Sequence, residues 1–259
     1  MNAIILAAGL GTRLGAYTQD RPKALVEVAG RTMLEHQLRR LSSFGFDRFV
    51  VNVHHFAPMV MDYLERNHNF GLDIRVSDES GLLLDTGGGI RRAMHIFDNS
   101  GPVLVHNVDI FSNANLKALY DTHVTNGCHA TLLTQKRQTS RYMYFDAAGK
   151  LTGWSNEKTG QNRSPYPDFI PQPDKAFAFQ GIHVLSSEIL PALDLIETQA
   201  FSITDFYVNS CSALDIRNAT FPLMEWADAG RPETLETAEM LARDYYPHKR
   251  EVRDRLLGV

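Results

Sequence analysis

Cysteine is scarce in this sequence, and long apolar runs are missing. The two cysteines, Cys128 and Cys211, lie far apart, which excludes a disulfide scaffold and predicts a reduced protein. No stretch approaches the roughly 18 consecutive apolar residues that a membrane-spanning helix needs. The first residues, Asn2 to Ala7, already have the character of a strand and do not resemble a secretory leader. We therefore expect a cytoplasmic protein without a membrane partner.

An excess of positive charge is also lacking. The sequence has 26 lysines and arginines against 30 acidic residues, a formal net charge of -4. This balance excludes a broad electrostatic surface for nucleic acid or anionic lipid, although it is compatible with a local cationic pocket. The predicted partner is a small molecule and not a nucleic acid.

What the sequence does contain is a repeated alternation of strands and helices. With 259 residues, 44% of them hydrophobic, the chain is long enough for a well-filled core. Residues 4–6 form an apolar run typical of a central parallel strand, and Leu34, Leu38 and Leu41 follow at helical spacing. Similar units recur up to a helix predicted at 116–125. The pattern predicts an α/β fold with a doubly wound, mainly parallel sheet, forming one domain over residues 1–259.

From Ala130 the pattern changes. Short strand candidates at 131–135, 142–145 and 151–154 are joined by turns instead of helices, which predicts a small antiparallel addition to the sheet. The segment 161–175 carries four of the eleven prolines and is predicted to be a loop or lid. We interpret residues 130–182 as an elaboration of the single domain.

The first strand leads into the stretch ILAAGLGTRLGAYTQDRPKAL, which brings small residues and cations into one loop. Gly9 and Gly11 permit backbone N–H groups to approach phosphate oxygens, and Arg13, Arg21 and Lys23 supply positive charge. A tight turn with ordinary surface cations is the alternative. The spacing lacks the third small position of a dinucleotide fingerprint and the Gly-Lys-Ser/Thr of a Walker A loop. These absences argue against a nicotinamide enzyme.

The stretches LAAGLGTRL and RPKAL together resemble the signature of sugar-1-phosphate nucleotidyltransferases, L-A-G-G-x-G-T-R-L followed by P-K. The resemblance implies a Rossmann-like nucleotidyltransferase fold, in which Arg13 and Lys23 are catalytic and bind the triphosphate. It also implies nucleotide contacts from the remainder of the loop: Ala8, Gly9, Gly11 and Thr12.

Two further stretches supply candidate acids for a metal ion. PVLVHNVDIF ends a predicted buried strand, and period-two alternation puts Asn107 and Asp109 on one face, where both can approach a nucleotide. EWADAGRPE resembles the family's W-x-D-x-G-T-P-E, which implies a second acid, Asp228. Because Mg²⁺ takes one or two carboxylates beside substrate phosphates, the resemblance implies Asp109 and Asp228 as its ligands. Helix capping is the alternative role for each aspartate.

The stretch LDTGGGI resembles the family segment that approaches the nucleobase, which implies nucleotide contacts from Thr86, Gly87 and Gly88. We expect these glycines to lead into a helix over 90–97. The T-G-G-G-I form is most similar to that of short, single-domain N-acetylmuramate-1-phosphate uridylyltransferases. This likeness implies UTP and N-acetylmuramic acid 1-phosphate as substrates.

The sugar site is implied by two further stretches. SNEKTG resembles the segment in which a glutamate meets sugar hydroxyls and a lysine meets the sugar phosphate, here Glu157 and Lys158. An exposed charged turn is the alternative. FQGIHVL resembles the strand that borders the sugar, which makes Gly181 a position of close approach.

The reaction implied by the resemblance joins a nucleoside triphosphate and a sugar 1-phosphate into a nucleoside diphosphate sugar and pyrophosphate, with Mg²⁺ as cofactor. Two alternatives stay open: a phosphocholine-type cytidylyltransferase and a non-catalytic nucleotide-binding regulatory protein. Monomer and homo-oligomer are both compatible with the sequence. The charged tail YYPHKREVRDRL predicts an exposed helix or a subunit contact.

Overall fold

The computed structural model describes residues 1–98 and 101–246. The predicted tail therefore lies almost wholly outside the described residues. In chain order, the first part of the fold contains β1 (Asn2–Leu6), β2 (Glu27–Val28), β3 (Arg31–Thr32), α1 (Met33–Ser43), β4 (Arg48–Val53), α2 (Ala57–Arg66), β5 (Asp73–Asp78), α3 (Asp85–Met94), β6 (Val103–Asn107), β7 (Ile110–Ser112) and α4 (Leu116–Asn126). The second part contains β8 (Ala130–Gln135), β9 (Arg141–Phe145), β10 (Leu151–Asn156), β11 (Gln161–Arg163), β12 (Ala176–Leu185), α5 (Leu190–Asp194), α6 (Ile203–Ser210), β13 (Ile216–Ala219), β14 (Trp226–Asp228) and α7 (Pro232–Tyr245).

Within the described ranges, ten strands form one sheet, whose parallel part has the order β6-β1-β4-β5. The chain builds β1, β4 and β5 outward and then returns to the other side of β1 with β6. Such a reversal opens a crevice at the carboxyl ends of the strands that flank it. The register sets Leu6 at the end of β1 between Asn52 of β4 and Asn107 of β6. The predicted α/β class and parallel core are confirmed.

The antiparallel addition is continuous with this sheet through β12. The carboxyl half of β12 pairs with β6, and its amino end pairs with β9, which continues into β10 and β11. Strand β8 also pairs with β12, and β13 lies parallel to β8. The prediction of an uninterrupted loop at 161–175 is wrong at its start, because Gln161–Arg163 adds β11 to the edge of β10. Because β12 pairs with β6 only over Ile182–Leu185, the amino half of β12 extends past the end of β6 and borders the crevice.

The apolar core lies on both faces of the sheet. Ala3 and Ile5 of β1 face one cluster, to which α1, α2, α4 and α7 contribute, while Ile4 faces a second cluster with α3, α5 and α6. This alternation within an apolar strand is what two covered faces require. None of the helices described is long and apolar enough to cross a membrane.

Local polar contacts determine where two of these helices begin. The Thr32 side chain accepts the backbone N–H of Glu35 at the start of α1 (3.1 Å). The Asn115 side chain accepts the N–H of Ala118 at the start of α4 (2.9 Å). Both are N-caps that satisfy donors left free in the first turn. Thr32 therefore defines the start of α1.

The second glycine cluster lies inside a helix and not before it. Helix α3 begins at Asp85, so the prediction that Gly87–Gly89 precede a helix over 90–97 is wrong. A Cβ at Gly87 would overlap the ring of Phe201, and one at Gly88 would overlap the carbonyl oxygen of Gln199. The glycines therefore permit close packing of α3 against the segment before α6, which outweighs their low helix propensity.

Candidate active site

A cavity of about 410 Å³ opens at the carboxyl ends of β1, β4 and β6. Sequence reasoning predicted most of its polar wall. Its lining consists of Leu6, Ala8, Gly9, Arg13, Lys23, Asn52, Leu83, Asp85, Thr86, Asn107, Val108 and Asp109. We call it the nucleotide cavity. Gly11 and Thr12 are not part of this wall: Gly11 has a left-handed backbone (φ 69°) that turns the loop, and Thr12 is exposed.

Two cations and two carboxylates meet at one side of the nucleotide cavity. Lys23 donates to Asp109 in a direct ion pair that is largely buried. Arg13 Nη1 lies 3.3 Å from Asp228 Oδ2, and its Nη2 lies 4.0 Å from Asp109 Oδ2. Arg21, by contrast, pairs with Asp20 at the surface. The structure therefore brings Arg13, Lys23, Asp109 and Asp228 together over the glycine loop.

Asp228 reaches this cluster through a small separate ribbon. Strand β14 pairs antiparallel with β7, which puts Asp228 opposite Ile110, the residue after Asp109. The backbone N–H of Ala229 also donates to the carbonyl oxygen of Asp109 (2.8 Å). Residues 119 positions apart, from 109 to 228, are thus joined by main-chain hydrogen bonds. Sequence reasoning found Asp228 only through the family resemblance, because three-residue strands carry no usable periodicity.

The two carboxyl groups face a common point above Gly230. A Cβ built on this glycine would lie 2.6 Å from Asp228 Oδ1, 2.8 Å from Asp109 Oδ2 and 2.8 Å from Arg13 Nη2, so the guanidinium of Arg13 faces the same point. Oxygen atoms of two carboxylates that converge in this way suit a hard cation such as Mg²⁺. Within residues 1–98 and 101–246, no cluster of three or more His, Cys, Asp or Glu side chains forms a larger metal site.

Burial and mutual repulsion separate the acidities of the two aspartates. Burial raises the pKa of Asp109, and the Asp228 charge adds to this rise, while Lys23 opposes it. Burial also acts on Asp228, but a hydrogen bond with Asp109, the Gly230 N–H and the charges of Arg13 and Lys23 together lower its pKa. When two carboxyl groups lie close together, the pKa of one is expected to rise while that of the other stays lower. The hydrogen bonds to Asp228 and the two adjacent cations thus favour its ionised form beside Asp109.

The start of the glycine loop is fixed by a buried amide that sequence reasoning missed. The Asn52 side-chain oxygen accepts the N–H groups of Ala7 (2.6 Å) and Ala8 (3.3 Å). Its amide nitrogen donates to the buried carboxylate of Glu79 (2.8 Å), which also accepts the N–H of Leu84 (3.2 Å). The available signal was a polar residue among the apolar residues of the stretch FVVNV, which forms most of β4. The network joins the loop to the start of α3.

The nucleobase segment contributes less than its sequence implied. Thr86 lines the nucleotide cavity, and its hydroxyl accepts the N–H of Ile203 (3.0 Å). The N–H of Gly87 donates to the carbonyl oxygen of Phe201 (2.7 Å). Gly88 is buried against Gln199 and does not reach the cavity wall. Of the three, Thr86 is therefore the residue placed to contact a ligand.

The predicted sugar residues separate from one another in the structure. Glu157 lines a second cavity of about 540 Å³ beside β9 and β10, which we call the acceptor cavity. Lys158 lies in the exposed turn between β10 and β11 and lines neither cavity. Gly181 is buried, and a Cβ there would lie 2.7 Å from Asn107 Nδ2. Gly181 thus permits β12 to pass close to the end of β6, but it lines neither cavity, and its close approach to a sugar stays a prediction.

The fold and site together define a class: an α/β protein with a glycine loop, paired cations and paired carboxylates at the carboxyl edge of parallel strands. A comparison with family models matches residues 2–244 to the family described as Nucleotidyl transferase. The chain belongs to this family, and the resemblance seen in the sequence is confirmed.

Individual relatives bear names with different substrates. An N-acetylmuramate alpha-1-phosphate uridylyltransferase of Caulobacter vibrioides is 49% identical over 109 residues, 41% of this chain and 45% of that protein. Mannose-1-phosphate guanylyltransferase 1 of Arabidopsis thaliana is 27% identical over 251 residues, 94% of this chain and 65% of that protein. The chain thus spans less than two thirds of the length of either relative. The solved inositol-1-phosphate CTP transferase from T. maritima shares the fold, with a TM-score of 0.72, 16% identity and coverage of 93% and 95%.

Proposed function

We propose that the protein is a sugar-1-phosphate nucleotidyltransferase, which forms a nucleoside diphosphate sugar and pyrophosphate. The observation that carries this proposal is the convergence of Arg13 and Lys23 with Asp109 and Asp228 at the wall of the nucleotide cavity. Cations suit a triphosphate, and paired carboxylates suit its accompanying divalent ion. Membership of the Nucleotidyl transferase family supports the same activity.

For the substrates we propose UTP and N-acetylmuramic acid 1-phosphate. Support comes from the T-G-G-G-I segment and from the uridylyltransferase relative, which matches less than half of this chain. The guanylyltransferase relative aligns over 94% of the chain at lower identity, so mannose 1-phosphate and GTP are the substrates to test against them. The two free, buried cysteines fit a cytoplasmic location, which we retain as part of the proposal.

The proposed reaction needs no nucleophile from the protein. An oxygen of the acceptor phosphate forms a bond to the α-phosphorus of the triphosphate, the bond from that phosphorus to the bridging oxygen breaks, and pyrophosphate leaves. The acceptor oxygen is already anionic, so catalysis depends on alignment and on neutralising charge. Arg13 and Lys23 supply the neutralising cations, and the exposed Gly9 backbone permits close approach of the triphosphate.

Mg²⁺ is part of the proposal, with Asp109 and Asp228 as the residues that would hold it. The approach of one oxygen of each carboxylate to the same point above Gly230 supports this assignment. When bound there, the ion would withdraw charge from substrate phosphate oxygens. Arg13 and Lys23 contact the same carboxylates and keep them oriented.

The test is a matrix of four nucleoside triphosphates against N-acetylmuramic acid 1-phosphate, glucose 1-phosphate, mannose 1-phosphate and phosphocholine, read by pyrophosphate release. We expect the highest kcat/KM for UTP with N-acetylmuramic acid 1-phosphate, and loss of release when EDTA removes divalent ions. Triphosphate binding without release from any pair would identify a regulatory protein and overturn the proposal. Release with CTP and phosphocholine alone would correct the acceptor class.

A further inference from the structure

Arg137 is a half-buried arginine two residues after the end of β8, and no family resemblance identified it. Its side chain lines the acceptor cavity together with Glu157 and Tyr142. Burial lowers the pKa of Arg137, and the charges of Tyr142 and Asp228 oppose this effect. An arginine stays protonated even so, because its ordinary pKa is far above neutrality. The acceptor cavity thus carries a fixed positive charge in its wall.

The guanidinium of Arg137 is held in one orientation. Its Cζ lies 4.1 Å from the centre of the Trp226 ring, in a cation–π stack. Its Nε donates to the side-chain oxygen of Gln180 (3.3 Å), and its Nη1 donates to the carbonyl oxygen of Gln138 (3.2 Å). Gln180 is fully buried, and its backbone carbonyl oxygen accepts the indole N–H of Trp226 (3.1 Å). The orientation of the Arg137 guanidinium is therefore fixed by uncharged groups.

What Arg137 lacks is a carboxylate partner. In the part of the chain that the structure describes, no ion pair includes it, and no hydrogen bond uses its Nη2. Arg163 provides the contrast: it stacks on Trp154 at 4.2 Å but also pairs with Asp205 at 2.8 Å. Asp228 compensates the charge of Arg137 only at longer range, so an anionic ligand would supply the direct counterion that this half-buried cation does not have among the described residues.

The position of Arg137 connects the acceptor cavity to the paired carboxylates. Its stacking partner Trp226 lies two residues before Asp228 on β14, and these two side chains share one face of that strand. Its hydrogen-bond partner Gln180 precedes Gly181, which lies against Asn107 of the nucleotide cavity. An anion bound at Arg137 would therefore lie between Glu157 and the carboxylate pair.

We propose that Arg137 binds the phosphate of the sugar 1-phosphate acceptor and directs it toward the nucleotide cavity. This inference rests on the proposed function. It assigns to Arg137 the role that the sequence resemblance implied for Lys158, which lies in an exposed turn outside both cavities. A guanidinium fixed by stacking offers the N–H donors of its unused Nη2 to phosphate in a set orientation, whereas an exposed lysine offers a mobile point charge.

The kinetic test measures pyrophosphate release while the concentration of N-acetylmuramic acid 1-phosphate is varied at saturating UTP. For Arg137→Ala we expect the acceptor KM to rise roughly 10- to 100-fold, the scale of one charge-assisted contact, with the UTP KM unchanged. Arg137→Lys should recover part of this loss, because it keeps the charge and loses the planar fork. Arg39→Ala is the matched control, because Arg39 also stacks on an aromatic ring, Phe70, but pairs with Glu35.

A second measurement does not depend on turnover. In a Trp154→Phe variant, Trp226 is the remaining tryptophan, and its emission should change when inorganic phosphate or the sugar phosphate binds the stacked guanidinium. Arg137→Ala in this background should abolish the change. An acceptor KM that does not rise in Arg137→Ala, together with a ligand-induced emission change that persists in this variant, would overturn the inference while leaving the proposed function intact. Arg137-dependent binding without pyrophosphate release would overturn the proposed function alone.

Discussion

The amide of Asn52 donates to the carboxylate of Glu79 over 2.8 Å, and both groups are buried beneath the glycine loop. Because the same amide's oxygen accepts two backbone N–H groups of that loop, Asn52 connects a buried acid to the backbone of the glycine loop. Burial raises the pKa of Glu79, and the hydrogen bonds from Asn52 and Leu84 oppose this rise. A single side chain thus satisfies groups in the loop that follows β1 and in the residue that follows β5.

Replacement of Asn52 by alanine leaves the Ala7 N–H and one oxygen of Glu79 without their partner. We expect Asn52→Ala to lower the free energy of unfolding by about 1–3 kcal/mol, the cost of buried unpaired polar groups. Urea denaturation followed by circular dichroism measures the change. The control is Asn67→Ala, an exposed amide whose loss should cost less than about 0.5 kcal/mol. Equal stability of both variants would contradict the assigned network.

Asp109→Asn tests the carboxylate pair. The amide keeps the size of the side chain but removes one negative charge, so pyrophosphate release should fall at least about a hundredfold. The fold should persist, because Asn can still accept a hydrogen bond from Lys23. Asp121→Asn, at a surface pair with Lys117, is the matched control and should keep its rate. A normal rate in Asp109→Asn would remove this residue from the site.

Gly88→Ala tests why α3 contains glycines. Its Cβ would overlap the carbonyl oxygen of Gln199, which is main chain and not a flexible side chain, so the two segments must move apart. We expect a loss of about 1–3 kcal/mol of unfolding free energy, the usual scale of overpacking. At Gly81, where no atom lies within 4 Å of the built Cβ, alanine should cost little. A shared effect at both positions would indicate backbone entropy and not packing.

His183 predicts a loss of stability in mild acid. It is fully buried, and burial lowers its pKa from 6.5 to about 3, with the nearby His106 also opposing protonation. Its pKa is therefore lower in the folded than in the unfolded chain, so the unfolded chain takes up the proton first as the pH falls. Stability is complete above pH 6.5 and declines below it, by about 2 kcal/mol near pH 5 for one such histidine.

The measurement is the difference in unfolding free energy between pH 7.5 and pH 5, in wild type and in His183→Gln. The variant should lose less stability over this interval, by about 1–2 kcal/mol, because glutamine does not titrate. His55→Gln, at an exposed position, should retain the wild-type difference. Identical pH dependence in all three proteins would show that His183 is protonated in the folded state.

Sequence reasoning located most of the nucleotide cavity because its residues follow strands with strong apolar patterns. Arg13 and Lys23 lie after β1, and Asn107 and Asp109 lie at the end of β6, so the parallel sheet brings them to one edge. Asp228 could not be placed from pattern, because its short strand pairs only with β7. It was found through the resemblance, and the pairing itself was not predicted.

The acceptor side was predicted less well for a different reason. Its walls come from turns and from edge strands, where propensity says little about which side chain faces inward. Glu157 and Lys158 are neighbours in sequence, yet only Glu157 lines the acceptor cavity. The sequence did not identify Arg137, because a single arginine after a strand has no distinctive pattern. Its significance depends on Trp226 and Gln180, which are distant in sequence.

The pairing of β14 with β7 also fixes when the site becomes complete during synthesis. The glycine loop and Asp109 leave the ribosome long before Asp228, which arrives near the end of the matched region. Until then, Lys23 and Arg13 have one carboxylate between them instead of two. The parallel strands can therefore be buried in the nascent chain before Asp228 has been synthesised. The pair of carboxylates is complete only when β14 pairs with β7.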